Sequence, residues 1–171
     1  MSWVFDATPP IYLAKVDRLD LIETLDGACL VPERVYHEVV TDGIEAGYAD
    51  ARRIEKRVED DTLEVVAVDE SAIVDSLASN PGLSDADVAV LACAHSRDGV
   101  AVMDEAVGRS AAEIEGIETR GTAFVVLSAV SSGAISPADG RAAVDAMIDR
   151  GWYVAPDLYA KILRKLESFE S

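Results

Sequence analysis

The chain of 171 residues carries 32 acidic and 15 basic side chains, a formal charge of −17, and is 50% apolar. This excludes a disordered acidic tail and leaves one domain of ordinary size, able to bury a core. No apolar run approaches the ~18 residues of a membrane span, and no basic region with a hydrophobic segment and cleavage site opens the chain, so a soluble cytoplasmic protein is expected. Taken alone, the charge argues against a nucleic-acid partner, which usually requires a basic face. Yet lysine is scarce, four against eleven arginines, and the acids are scattered rather than gathered in a block. That pattern resembles proteins of salt-loving organisms. At ~1 M salt, where the Debye length is about 3 Å, such a surface repels a phosphate backbone only weakly.

Trp3-Val4-Phe5 reads as a short apolar strand stopped at Asp6. Thr8 is placed to cap a helix that tolerates Pro9 and Pro10 in its first turn and turns Ile11, Leu13 and Ala14 to one side. A short helix with Leu19, Leu21, Ile22 and Leu25 ends at Asp26-Gly27, and Ala28-Cys29-Leu30-Val31 is the next strand. Pro32 opens a helix carrying Val35, Glu38 and Val39, which Asp42-Gly43 is expected to stop. Residues 44–60 then form an amphipathic helix whose basic cluster, Arg52, Arg53, Lys56 and Arg57, reads as a solvated face paired with Glu45, Glu55 and Glu59. Residues 63–68 are a strand and 72–77 a weaker helix.

The rest of the chain is arranged around residues 83–109. Ser84 is a good N-cap and Asp87 stands where a capping box wants a carboxylate, while Val88, Leu91, Ala92 and Ala94 form an apolar face. Asp98-Gly99 supplies a turn, and Val100-Ala101-Val102-Met103 is the continuous apolar run of a strand covered on both faces, ending at Asp104. A helix of about twelve residues rises ~18 Å and a strand of about five covers ~16 Å, so the strand returns to the level where the helix began. Asp87 and Asp104 therefore belong at one edge, and in an open parallel sheet the carboxyl edge is where ligands bind. Beyond it, residues 105–113 are helical, 117–119 a short strand, and Gly121-Thr122 opens an apolar helix through Val130. Ser136-Pro137 starts another helix, and Trp152-Tyr153-Val154 leads to a last one over 157–169.

Strands alternating with helices mean an α/β fold with a parallel sheet between helical layers. There is no internal repeat, glycine-rich phosphate loop, GxSxG elbow or HExxH helix. Cys29 and Cys93 sit in apolar segments without metal-ligand spacing and read as core residues; His37 and His95 are isolated. What remains is Asp6 and Asp104 at strand ends, Asp87 at a helix start and Glu38 on the helix after the second strand. Carboxylates crowded at one edge repel one another unless protonated or neutralised, and a hard divalent cation is the usual solution. Mg²⁺ or Mn²⁺ held there would orient a phosphodiester and activate a water. Each acid also has a structural reading: Asp87 as capping-box partner, Asp6 as the start of a turn, Glu38 on a solvated face, Asp104 with Glu105 at a helix amino terminus.

The segments Val4-Phe5-Asp6-Ala7-Thr8-Pro9, Val31-Pro32-Glu33-Arg34-Val35-Tyr36-His37-Glu38-Val39, Leu83-Ser84-Asp85-Ala86-Asp87 and Val102-Met103-Asp104-Glu105 followed by Arg109 resemble the successive motifs of PIN domains. Gly121-Thr122 and Gly151-Trp152-Tyr153 resemble a prokaryotic stand-alone subgroup of them. The resemblance covers nearly the whole chain. It implies a single domain over 1–171, a three-layer α/β/α fold with a central parallel sheet of about four to five strands, and a metal-dependent ribonuclease like the VapC-type toxins. It further implies Mg²⁺ or Mn²⁺ as cofactor, RNA as substrate, an antitoxin protein as partner, and a homodimer. Residue by residue, Asp6, Glu38, Asp87 and Asp104 match the family's acidic quartet, with Asp6, Asp87 and Asp104 as metal ligands. Thr8 matches a hydroxyl that supports a ligand or a water. Asp85, where the subgroup has Glu, stands as an outer helper to Asp87, and Arg109 matches a basic residue that touches phosphate or pairs with a nearby acid. Trp152, Tyr153, Tyr159 and Phe169 either close the core or form a surface for self-association. Two rival readings are a non-catalytic binding protein that keeps the PIN fold and a metal phosphatase; Asp6-Ala7-Thr8 lacks the DxD of an aspartyl-phosphate mechanism.

Overall fold

A computed structural model describes residues 1–170. Its sheet has five short strands, β1 (Ser2–Phe5), β2 (Ala28–Pro32), β3 (Glu64–Val66), β4 (Val100–Val102) and β5 (Glu118–Arg120). They lie in the order β3-β2-β1-β4-β5, and every neighbouring pair is parallel. Parallel neighbours cannot be joined by a hairpin, so each strand is followed by helix that returns the chain to the starting edge. The chain runs from β1 outward through β2 to β3, then crosses back to β4 and β5 on the other side. The reversal leaves a switch point between the carboxyl ends of β1 and β4. Both faces are covered, which is why Val4, Phe5, Leu30, Val31 and residues 100–103 are buried as continuous apolar runs.

The helices are α1 (Thr8–Lys15), α2 (Glu33–Tyr36), α3 (Gly43–Glu45), α4 (Ala49–Glu59), α5 (Ala72–Ala78), α6 (Asp85–Ser96), α7 (Ala106–Ile114), α8 (Thr122–Ser131), α9 (Pro137–Asp149) and α10 (Pro156–Ser168). A 3-10 segment covers Leu19–Thr24, and a π-helical one, His37–Asp42, joins α2 to α3. Thr8 does not cap α1. Ala7 takes the cap position with helical φ −66° and ψ −42° and makes no side-chain cap bond, and Thr8 is already the first helical residue. Nor does Gly43 stop its helix. A Cβ there would stand 2.7 Å from the Ala51 Cβ, so the missing side chain serves the packing of α3 against α4. The chain bends only at Gly47, which holds φ +83°.

The basic cluster on α4 docks the helix. Arg53 donates to the carbonyl of Ala14 at 2.6 Å, capping the end of α1, and Arg57 pairs with Glu23 at 2.7 Å. Of the acids expected to pair with this cluster, Glu55 does so, with Arg52 at 3.2 Å, and Arg57 adds a pair with Asp60 at 3.7 Å. The carboxyl-terminal third folds back on α1: Tyr12 donates to the carbonyl of Gly151 and Arg150 to that of Lys15. Trp152 is buried and Tyr159 donates to Asp145 at 2.6 Å, so both close the fold, whereas Tyr153 is 83% exposed. Cys29 and Cys93 are free and buried. Among the described residues no helix is long and apolar enough to cross a membrane.

Candidate active site: an acidic cleft at the switch point

Asp6 follows β1, and its N–H donates to the carbonyl of Val102 at 3.0 Å, extending the β1–β4 ladder to the residue where the strands diverge. The side chain is buried, with 5% of the residue exposed. Burial pushes the Asp6 carboxyl up to about 7; the N–H of Ala7 opposes the rise, and the charges of Asp87, Glu105 and Glu38 add to it. Three other elements thus bring an acid to this point: the start of α6, the turn before α7 and the π-helical segment.

Asp87 is held by its own helix start. Its N–H donates to the Ser84 hydroxyl at 3.1 Å, and its Oδ2 accepts the Ser84 N–H at 3.0 Å, completing a capping box. Asp85 points elsewhere, to Arg34 at 3.4 Å on the exposed surface. The structure therefore separates the two acids: Asp87 acts on Asp6, and Asp85 pairs with a neighbouring helix. Glu38 is exposed within the π-helical segment. A π turn changes the angle at which later side chains leave a helix and is frequent at functional sites; no periodicity in the sequence announces it.

Asp104 is not directed at Asp6. Its Oδ1 accepts the N–H of Thr122 at 2.7 Å, and its Oδ2 accepts the Thr122 hydroxyl at 2.7 Å and the Trp152 indole N–H at 3.1 Å. Beside it, Arg109 donates to the carbonyl of Met103 at 3.3 Å and makes no ion pair among the described residues. With Asp104 itself, Arg120, Ser110 and Thr119 it lines a cavity of about 530 Å³. Thr8 is half-buried, two residues beyond Asp6. Glu105, read locally as part of a helix amino terminus and matched by the resemblance to an acid that often follows the subgroup's last strand aspartate, stands at the exposed N-cap position of α7 and is one of the acids acting on Asp6. The adjacent acids Asp104-Glu105 were the available signal; which of the two faces the cleft depends on contacts far along the chain.

The donors are all carboxylate oxygens, a set that suits a small hard divalent cation such as Mg²⁺ or Mn²⁺. Asp6 is the buried charge that such a cation would relieve. The acids are not drawn into one coordination sphere, however: among the described residues no three His, Cys, Asp or Glu side chains stand close enough to hold a metal ion. Glu38 and Glu105 are both exposed.

The fold and site define an open parallel α/β domain with carboxylates gathered at its switch point. The chain belongs to the PIN domain family, whose model matches residues 2–168. Membership supports a nuclease-type function in general terms. No curated protein matches the chain. Among solved structures it is similar to VapBC-1 from nontypeable Haemophilus influenzae, at 16% identity and a TM-score of 0.51 over 71% of this chain and 98% of that one. It is likewise similar to PAE2754 from Pyrobaculum aerophilum, at 16% identity and a TM-score of 0.52 over 76% of this chain and 99% of that one. At such identity both likenesses are of fold.

Proposed function

We propose that the protein is an endoribonuclease that hydrolyses RNA phosphodiester bonds with Mg²⁺ or Mn²⁺ held at the switch point. Asp6, Asp87 and Glu38 hold the cation, together with an acid from the turn after β4. The observation that carries this reading is the buried Asp6 carboxyl, raised to about 7 with three further acids acting on it. Burying a carboxylate among like charges destabilises the fold and is explained by a cation that neutralises it. When bound, the cation supplies an activated water and stabilises the leaving oxygen. Asp6 and Asp87 come from the rigid end of β1 and a capped helix start and set the position of the site. Glu38 and Glu105 approach from exposed elements and face the solvent side, where the RNA strand passes. A small antitoxin protein that blocks the cleft belongs to the same proposal.

The test is cleavage of a mixed single-stranded RNA pool in molar KCl with Mn²⁺, comparing the wild type, Asp6→Asn and a chelator control. Cleavage that requires both the metal and Asp6 is expected. Cleavage that survives either removal sinks the reading. The non-catalytic alternative draws on the spread of the acids, none of which stand three together within metal-holding distance among the described residues. A wild type that binds RNA but neither binds Mn²⁺ nor cleaves would establish it.

A further inference from the structure

The acid contributed by the turn after β4 has two candidates, one residue apart. We infer that Asp104, where motif spacing puts the fourth acid, is a positioning residue, and that Glu105 is the acid the turn offers to the cation. The inference rests on the nuclease reading above.

Both oxygens of Asp104 are committed. Oδ1 accepts one hydrogen bond and Oδ2 two, from donors 18 and 48 residues away. Thr122 is fully buried and Trp152 is 4% exposed. If Asp104 turned to a cation, the Thr122 N–H and hydroxyl and the indole N–H would be stranded in the interior. Each orphaned donor costs about 1–3 kcal/mol. No comparable loss attends Glu105, whose side chain makes no hydrogen bond or ion pair among the described residues and which is exposed.

The wall of the Asp104 niche is built for this carboxylate. A Cβ on Gly121 would lie 2.8 Å from Asp104 Oδ1, closer than any side-chain carbon sits, so only glycine leaves room. Asp104 thereby ties three pieces of chain together: the turn after β4, the first residue of α8 and the segment after α9. Glu105 then leaves from backbone of polyproline-II geometry, φ −67° and ψ 135°, in which successive side chains are turned about 120° apart, so it does not follow Asp104 into the niche. With both Asp104 oxygens engaged by Thr122 and Trp152, Glu105 is the acid of this turn whose carboxylate has no partner among the described residues. The Asp6 N–H bond to Val102 keeps this turn against Asp6, and the influence of Glu105 on the Asp6 carboxyl agrees with that placement.

The test is Mn²⁺ affinity of the full chain without RNA, by titration calorimetry or by the spin-resonance signal of free Mn²⁺. Thermal unfolding in chelator is measured alongside. Glu105→Gln is expected to weaken Mn²⁺ at least tenfold with an unchanged Tm, and Glu105→Asp, which keeps the charge on a shorter arm, to recover part of the loss. Asp104→Asn is expected to lower Tm and, well below that Tm, to weaken Mn²⁺ by only about threefold. Trp152→Phe, which keeps an aromatic ring and deletes the donor, should behave like a milder Asp104→Asn and serves in its place if that variant does not fold. Wild-type affinity in Glu105→Gln, or a larger loss in Asp104→Asn than in Glu105→Gln, overturns the assignment of Glu105. Wild-type affinity in folded Asp104→Asn or Trp152→Phe overturns the positioning role. A wild type that binds no Mn²⁺ overturns the nuclease reading itself.

Discussion

Ser84 and Asp87 bond each other twice, the Asp87 N–H to the Ser84 hydroxyl at 3.1 Å and the Ser84 N–H to Asp87 Oδ2 at 3.0 Å. Asp87 Oδ1 is left outside the box, on a residue only 8% exposed whose charge acts on Asp6. One residue thus serves both the helix start and the cleft. Ser84→Ala removes the cap on α6 and should cost about 1 kcal/mol, a fall in Tm of roughly 2–4 °C for a domain of this size. Ser84→Thr should recover most of it. Urea titration of the three chains checks both; equal midpoints for Ala and wild type would deny the cap any energetic role.

Asp6 makes stability depend on pH in a definite direction. Its folded-state carboxyl is raised to about 7, against about 3.9 in the unfolded chain. Between those values the folded protein holds a proton that the unfolded chain has released. The contribution of Asp6 to stability therefore falls as pH rises from about 4 to about 7 and is level above. Asp6→Asn deletes the ionisation while keeping the shape. In chelator the variant should melt above the wild type at pH 8, with the gap closing toward pH 4. Thermal scans at pH 4.5, 6 and 8 measure it, and a gap that does not change with pH would refute burial of the Asp6 charge as its cause.

Gly121 has φ −96° and ψ 179°, extended backbone that any residue adopts. Gly121→Ala is nevertheless expected to destabilise, because its Cβ would meet Asp104 Oδ1 at 2.8 Å and Arg109 Nη1 at 3.3 Å. Loss of part of the Asp104 hydrogen bonding should cost about 1–3 kcal/mol, read as a lower chemical-denaturation midpoint. Adding Asp104→Asn to Gly121→Ala should then cost less than it does alone; strict additivity would show that the two residues do not interact.

Neighbouring arginines on α4 should differ sharply. Arg53 bonds the carbonyl of Ala14 at 2.6 Å across a part-buried contact, whereas Arg52 makes an exposed pair with Glu55. Arg53→Ala is expected to cost about 1–2 kcal/mol and Arg52→Ala less than about 0.5 kcal/mol. Salt separates them further, since only an exposed ion pair is well screened. Denaturation of both variants at low and molar KCl gives the comparison, and equal losses would mean that α4 does not dock through Arg53.

Much of this molecule is legible in its sequence because the relevant physics is local. Apolar runs ending at Asp6 and Asp104, helices between them, the Ser84–Asp87 box and the arithmetic of helix rise against strand length are enough to place the acidic edge. A capping box lies within four residues, and a strand covered on both faces is apolar throughout, so neither needs distant information. Other features were beyond reach for the same reason inverted. The order β3-β2-β1-β4-β5, the π turn carrying Glu38 and the docking of Arg53 depend on partners that no short period encodes. The turn after β4 shows the division most plainly. The sequence by itself determined that two adjacent acids end the strand at the carboxyl edge. Only the tertiary structure decided what holds Asp104, because Thr122 and Trp152, 18 and 48 residues further on, are buried donors that its carboxylate satisfies.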